Sequence, residues 1–347
     1  MLRTVRQAAL IGAAALGMVV AVQATTAQAA EVTLRFGSIW PEVASVHKNL
    51  IEAWANAVEA DSKGRIKVEL YPSATLAKPA SQYEAVSNRI MDVTATVLGY
   101  TANRFPLTQV VEVPGVSKNA VNGSCVVQTL YDEGLLSSEF EDTHPLFFFT
   151  HGPGLLHMRD KVVEEPADLE GLRIRRPSTV VAQLLERYGA QPIGLPAPEA
   201  YPSLQRGVID GVAFPWQGAM AFRLNELANT HTEVGGLYTI VFLVTMNKAA
   251  YDDLPDDLKA VINKNSGAAW ATVAGQVFDA DDVKGRAQAV EAGHTIYVVD
   301  GGIENPAWKP ALTEAAAAYV QEVEDKGLPG QKVHERALEL AKTCPTE

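Results

Sequence analysis

The chain has 347 residues, 47% of them hydrophobic and 20% charged, which is enough for two domains with buried cores. Its formal net charge is −12 at pH 7, with 41 acidic residues against 29 basic ones. This acidic balance argues against nucleic acid and anionic lipid as binding partners.

The first 29 residues have the pattern of a secretory signal peptide. Arg3 and Arg6 make the start positive, an uncharged apolar run extends from Ala8 to Val22, and residues 27–29 (AQA) form a small-residue cleavage site. The run is too short for a membrane span, and no later stretch is apolar enough to form one. We therefore expect an exported chain that begins near Ala30, in the periplasm if the organism is a bacterium. Without the two arginines, 27 basic and 41 acidic residues remain, a net charge of −14.

Strands and helices alternate at the start of the exported chain. Residues 32–37, 65–71 and 92–97 are predicted strands, and residues 46–58 and 79–88 are predicted helices between them. This order is typical of a parallel α/β sheet, which binds ligands at the carboxyl ends of its strands.

Two aromatic residues, Trp40 and Tyr100, follow the first and third of these strands. If a ligand binds at this edge of the sheet, both rings lie near it. The alternative is that each ring packs over the sheet edge without touching a ligand, which is the commoner position for a single aromatic side chain.

The middle of the chain contains two long apolar strands. Residues 146–150 predict a buried strand, and residues 151–154 (HGPG) end it, which we interpret as a crossing between two domains. The apolar stretch at residues 238–246 predicts a strand that returns to the first domain. The last third of the chain is predicted to be mainly helical.

Between these apolar strands lies an arginine-rich segment. Residues 172–175 alternate apolar and basic side chains, which predicts a strand that Pro177 ends. With Arg173, Arg175 and Arg176 so close together, at least one is expected in a site for an anion, and the planar guanidinium suits a carboxylate. The alternative is that all three are solvated or pair with the acidic surface, and the segment by itself favours that alternative.

The two cysteines, Cys125 and Cys344, could form a disulfide, which an exported protein permits, or remain as two thiols. The sequence leaves both possibilities open because it does not give the Cα separation that a disulfide requires.

The sequence lacks the common catalytic and metal-binding motifs. It has no G-x-S-x-G, no G-x-x-x-x-G-K-[ST] and no G-x-G-x-x-G, and the residues after His334 do not complete H-E-x-x-H. The seven histidines are scattered, and the pair His151 and His157 lacks further zinc ligands nearby, which favours a hydrogen-bonding role over zinc binding. These observations favour a binding protein without catalytic residues, metal or cofactor over an enzyme.

Several short motifs occur in one order along the chain. Residues 62–68 read S-K-G-R-I-K-V, residues 71–72 read Y-P, residues 168–175 read D-L-E-G-L-R-I-R, and residues 199–211 contain E-x-Y, L-Q-R-G and I-D-G. In this order and spacing, the chain resembles the solute-binding proteins of tripartite ATP-independent periplasmic (TRAP) transporters, the DctP-type family.

The resemblance implies an α/β fold, a two-lobed periplasmic binding protein clamshell with a long inter-lobe helix. We assign residues 30–151 with 239–281 to lobe I and residues 152–238 with 282–347 to lobe II. Such a protein holds its ligand in the cleft, closes by hinge motion and delivers the ligand to a membrane permease.

By position in the family motif, Arg175 rather than Arg173 or Arg176 is the residue expected to bind the ligand carboxylate. The chain departs from the family pattern at two places. Phe214 stands where many members have a polar residue before a proline, and Leu156 stands where sialic-acid-type members have a second arginine. Both departures favour a monocarboxylate with an aromatic or apolar body.

Aromatic side chains are the expected walls of this pocket: Phe214, Trp216, Trp40, Tyr100 and Tyr238. Phe214 or Trp216 could instead pack at the hinge.

We therefore expect a periplasmic solute-binding protein that captures an organic acid and delivers it to TRAP permease subunits. A 2-oxo acid, a dicarboxylate or a sugar acid is the alternative ligand. An exported hydrolase or lyase is the alternative class, and a sensor subunit that presents ligand to a histidine kinase is a third possibility. The sequence does not determine the exact ligand, the oligomeric state or whether a cation assists binding.

Overall fold

The structure is a computed structural model that describes residues 30–347, so the predicted signal peptide lies outside the described residues. Within residues 30–347, no helix is long and apolar enough to cross a membrane. The strands are β1 (Val32–Ser38), β2 (Ile66–Tyr71), β3 (Val93–Val97), β4 (Thr143–Thr150), β5 (Leu155–Met158), β6 (Arg173–Arg176), β7 (Gln191–Gly194), β8 (Gly211–Phe214), β9 (Thr230–Glu233), β10 (Val241–Asn247) and β11 (Thr295–Val298).

Helices cover both sheets that these strands form. They are α1 (Ala53–Asp61), α2 (Gln82–Ser87), α3 (Ala120–Asp132), α4 (Thr179–Arg187), α5 (Ala197–Gln205), α6 (Trp216–Ala221), α7 (Lys248–Asp252), α8 (Asp256–Lys264), α9 (Ala268–Glu291), α10 (Lys309–Asp325) and α11 (Gly330–Thr343). A π-helical turn, His47–Glu52, leads directly into α1.

The first sheet has the strand order β2-β1-β3-β10-β4. β1 is parallel to β2 and β3, as the alternation of strands and helices predicts, whereas β10 is antiparallel to both β3 and β4. β10 comes from a distant part of the chain, and its antiparallel direction makes the sheet mixed. Its fully buried residues pair with the equally buried run of β4, so the centre of the sheet is apolar on both faces.

The second sheet has the order β11-β9-β5-β8-β6-β7 and is also mixed. β6 is parallel to β7 and β8, and β5 is antiparallel to β8 and β9. The chain enters this sheet after β4, through residues 151–154, and returns to the first sheet at β10. Two mixed α/β sheets joined in this way confirm the predicted fold class.

The predicted long helix is α9, which has 24 residues and packs against α3 on one side and α6 on the other. The carboxylate of Asp279 accepts hydrogen bonds from the backbone amides of Ala120 (2.7 Å) and Val121 (3.0 Å), at the start of α3. One turn later, Asp282 Oδ1 accepts from the backbone amide of Gln217 in α6 (2.6 Å). Residues 279–282 of α9 therefore accept hydrogen bonds from backbone amides in both halves of the molecule.

Cys125 and Cys344 form a disulfide, with their Cα atoms 5.9 Å apart. It joins α3 to the residue that follows α11, across a sequence separation of 219. Helix α11 packs on α3, which itself lies on β4 of the first sheet. The assignment of residues 282–347 to lobe II remains a proposal. Within that segment, α11 is attached to the first sheet through α3.

Burial makes the side chain of Asp282 a weak acid. Desolvation raises the pKa of its carboxyl to about 8, whereas an aspartate in an unfolded chain titrates near about 3.9. As pH rises from about 4 to about 8, the unfolded chain loses this proton and the folded chain keeps it. The group therefore lowers the free energy of unfolding as pH rises across this window.

Asp282→Asn should stabilise the protein near neutral pH, because the amide retains an oxygen for Gln217 and cannot ionise. We expect the free energy of unfolding to increase by about 1–3 kcal/mol at pH 7.5 and to change little at pH 4. Urea unfolding at both pH values measures this difference. Asp325→Asn at the exposed end of α10 is the control, with an expected change below about 0.5 kcal/mol. A destabilised Asp282→Asn variant at pH 7.5 would contradict the prediction.

Candidate functional site

A cavity lies between the two sheets, where strand ends from both come together. From the first sheet, Trp40 follows β1, Tyr100 follows β3 and His151 follows β4. Phe242 at the start of β10 joins them, because an antiparallel strand begins at the edge where its neighbours end.

The second sheet contributes the opposite wall in the same way. Pro177 follows β6, Ala197 begins α5 after β7, and Phe214 is the last residue of β8. These three strands are parallel, so their carboxyl ends meet at one edge, as the general rule for ligand sites on α/β sheets requires. The other lining residues are mainly apolar: Ile39, Val97, Arg175, Pro215, Gln217, Gly218, Phe222, Tyr238 and Ile240.

Among residues 30–347, Arg175 in β6 is the one charged residue that lines this wall, and it is 1% exposed. Its Nε donates to the carbonyl of Leu195 (2.8 Å) and its Nη1 to the carbonyl of Ala213 (3.0 Å). Its Nη2 donates to the hydroxyl of Tyr100 (3.1 Å), and its Cζ lies 4.0 Å from the centre of the Phe214 ring. The guanidinium is thus fixed by four neighbours, all of them uncharged.

A guanidinium has five N–H groups, and these contacts use three of them. One N–H on each of Nη1 and Nη2 remains, which is the pair that a carboxylate accepts in a bidentate arrangement. Burial lowers the pKa of Arg175, but arginine keeps its charge in proteins. Among the salt bridges of residues 30–347, none involves Arg175. The cavity therefore contains a buried cation without a counter-ion from the described chain.

Tyr100 connects the two walls. Its hydroxyl oxygen accepts from Arg175 Nη2 and from the backbone amide of Ala197 (2.8 Å), both in the second sheet's half. Burial raises the pKa of Tyr100, so the hydroxyl stays protonated. Because both of these contacts use the oxygen as an acceptor, its own O–H remains free to donate.

Five of the six residues that are predicted from the sequence to contact the ligand line this one cavity. They are Arg175, Phe214, Trp40, Tyr100 and Tyr238. Their contact with a ligand remains a prediction, although the fold brings them together from both sheets.

Trp216 is not among the residues that line this cavity. Its Nε1 donates to Glu233 (2.7 Å), and its ring packs on the rings of His157 and His231, with centres 5.1 and 4.6 Å away. Trp216 begins α6, so the turn of the helix directs it away from the neighbouring Phe214. We therefore do not propose that Trp216 contacts the ligand.

The other two arginines of β6, Arg173 and Arg176, do not line the cavity. Arg173 pairs with both carboxylate oxygens of Asp210, at 3.0 and 2.5 Å. Leu156 in β5 is fully buried and is likewise not part of the cavity wall.

Three histidines form a hydrogen-bonded series behind the cavity wall. His157 Nδ1 lies 2.7 Å from His231 Nδ1, and His231 Nε2 lies 3.0 Å from His294 Nδ1. His157 Nε2 contacts the carbonyl of Phe214 (3.2 Å). Burial lowers the pKa of His157 to about 3 and that of His231 to about 2, so both are neutral. In residues 30–347 no three metal-binding side chains converge, since these ring nitrogens face one another in series.

Comparison with known proteins gives a consistent family. Residues 36–324 match the DctP family, bacterial extracellular solute-binding protein, family 7. The C4-dicarboxylate-binding periplasmic protein DctP of Rhodobacter capsulatus is 26% identical over 311 residues, which cover 88% of this chain and 90% of that protein.

Two solved structures are more similar. A marine metagenome TRAP solute-binding protein specific for aromatic acid ligands, in complex with 3-hydroxybenzoate, is 37% identical, with a TM-score of 0.88 and coverage of 92% of this chain and 100% of that one. A TRAP solute-binding protein from Rhodoferax ferrireducens, in complex with copurified benzoate, is 34% identical, with a TM-score of 0.86 and coverage of 90% and 98%.

Proposed function

Because the chain belongs to the DctP-type family of TRAP solute-binding proteins, we propose that it captures an aromatic or otherwise apolar monocarboxylate in the periplasm and delivers it to TRAP permease subunits. The observation that carries this proposal is Arg175, a buried cation whose bonded partners are all uncharged. A buried charge requires a partner of opposite sign.

A ligand carboxylate meets this requirement. It accepts the two remaining N–H groups of Arg175, and the O–H of Tyr100 lies beside the same guanidinium as a third donor. One carboxylate neutralises the cavity, because Arg175 is the one charged residue of its wall. A second carboxylate on the ligand would remain without a cation, which is why we favour monocarboxylates over dicarboxylates.

The rest of the ligand lies among apolar groups. The rings of Trp40 and Phe242 are 5.6 Å apart on the first-sheet side, and the ring of Phe214 faces them from the second. Such walls suit an aromatic body. Both solved relatives above are described in complex with aromatic carboxylates, benzoate and 3-hydroxybenzoate, which supports the same ligand class here.

The lining residues come from both sheets and are mostly buried. A ligand therefore enters only if the two halves separate. We propose hinge opening and closing between them, with α9 and the crossing strands as the connection.

A thermal-shift screen of residues 30–347 tests this function, after refolding to remove ligand carried over from expression. Benzoate at 100-fold above its dissociation constant is expected to stabilise the protein by about 2.7 kcal/mol and to raise the melting temperature by about 4 °C. Succinate, a 2-oxo acid and glucuronate form the comparison panel. Shifts confined to these polar acids would contradict the aromatic proposal, and turnover of any acid would contradict a binding protein.

A further inference from the structure

Among the buried side-chain polar atoms of residues 30–347 that have no hydrogen-bond partner, three belong to residues that line the cavity. They are Nε2 of His151, Nε2 of Gln217 and the hydroxyl of Tyr238, on side chains that are 1%, 3% and 3% exposed. Buried polar groups in folded proteins almost always have a partner. Because all three belong to residues that line one cavity, a molecule bound there is a candidate for the missing partner.

The first of these atoms is a hydrogen-bond acceptor. His151 Nδ1 is in contact with the carbonyl of Gly152, which can only accept, so the ring proton resides on Nδ1. Burial lowers the pKa of His151 to about 4, so the ring is neutral at physiological pH. Nε2 therefore carries a lone pair without a partner, on a residue that lines the cavity.

The other two atoms can donate. The amide nitrogen of Gln217 carries two N–H groups, and the hydroxyl of Tyr238 can donate or accept. Burial raises the pKa of Tyr238, so its hydroxyl stays protonated. The rings of His151 and Tyr238 are neighbours, with centres 5.4 Å apart. An acceptor beside donors is the complement of a hydroxyl group, which both donates and accepts.

We infer that the ligand carries a hydroxyl group in addition to the carboxylate held by Arg175, and that this hydroxyl donates to His151 Nε2 and accepts from Gln217 or Tyr238. The inference rests on the proposed function, since it concerns the same cavity. A second carboxylate does not fit these atoms, because an ionised carboxylate has no proton to give to His151.

Isothermal titration calorimetry with matched acids tests this inference on residues 30–347. The series is benzoate, its three hydroxy isomers and the three methoxy isomers, with phenylacetate and mandelate as a second pair. We expect at least one hydroxy acid to bind about 10-fold more tightly than its parent, and the matching methoxy acid to lose this gain because it cannot donate. If every hydroxy acid binds no better than its parent, the inference is wrong and water occupies these atoms. If neither benzoate nor phenylacetate nor any hydroxy acid binds, the proposed function itself fails.

The variants Tyr238→Phe and His151→Phe test which side chain contacts the hydroxyl group of the ligand. Each removes one of the unpartnered atoms. Tyr238→Phe gives up no side-chain hydrogen bond, whereas His151→Phe also gives up the one between Nδ1 and the carbonyl of Gly152. We expect the ratio of the parent's dissociation constant to that of the hydroxy acid to fall from about 10 towards 1 in at least one variant. Tyr319→Phe removes a hydroxyl from another buried tyrosine, outside the cavity, and should leave the ratio unchanged. If both cavity variants keep the wild-type ratio of the two dissociation constants, the inference is overturned.

Discussion

Arg175→Met is expected to weaken the binding of benzoate by at least about 100-fold. Removal of one partner of a buried charge pair typically costs about 3–5 kcal/mol. Here the methionine removes both free N–H groups and the sole positive charge of the cavity wall. The empty protein should still fold, because the substitution deletes a buried charge that lacks a counter-ion and retains most of the apolar stem. Calorimetric titration of both proteins gives the ratio of dissociation constants.

Arg173→Met is the matched control, on the same strand and two residues away. It breaks the pair with Asp210, whose two side chains are 40% and 33% exposed, so the stability should fall slightly and the affinity should stay within about twofold. An Arg175→Met variant that binds benzoate as the wild type does would show that another residue holds the carboxylate.

Loss of the disulfide between Cys125 and Cys344 is expected to lower the free energy of unfolding by about 2–5 kcal/mol. The disulfide closes a very long loop, with a sequence separation of 219, and therefore restricts the unfolded chain strongly. The melting temperature should fall by about 3–8 °C in a Cys125→Ala, Cys344→Ala double variant. The binding of benzoate should persist, because neither cysteine lines the cavity.

A strong reductant should lower the melting temperature of the wild type towards that of the double variant and leave the double variant unaffected. Equal melting temperatures for wild type and double variant would mean that packing of α11 on α3 holds the C-terminus without the covalent bond.

The pattern of apolar residues predicted most strands and helices because their local periodicity agrees with the final packing. The predicted strand at residues 65–71 differs by one residue from β2, Ile66–Tyr71. The short strands β5 and β7 were not predicted, since four residues give too little periodicity and their pairing depends on distant strands. The motif that ends in Arg175 pointed to the cavity, because position in a family motif carries spatial information that spacing alone does not.

The composition of the site was harder to predict than its location. Trp216 and Phe214 are both predicted from the sequence to contact the ligand. The chain changes from strand to helix between them, so the two side chains lie in different places. Gln217 and Phe242 were missed, since nothing in the sequence around them distinguishes a cavity wall from ordinary core. His157 was grouped with His151 by sequence proximity, whereas its ring is bonded to His231, 74 residues away.

The uncharged surroundings of Arg175 make the ligand part of the electrostatics of the closed protein. With the cavity empty, closing the two halves leaves one positive charge in an apolar interior, which is unfavourable. With an organic anion present, the same closure yields an electrically neutral interior. Under the proposed function, we therefore expect the charge of the ligand, rather than its shape alone, to set the balance between open and closed forms. An amide or ester of the same acid would fill the space without supplying that charge, so a permease that recognises the closed form would encounter this protein mainly when it is loaded with an anion.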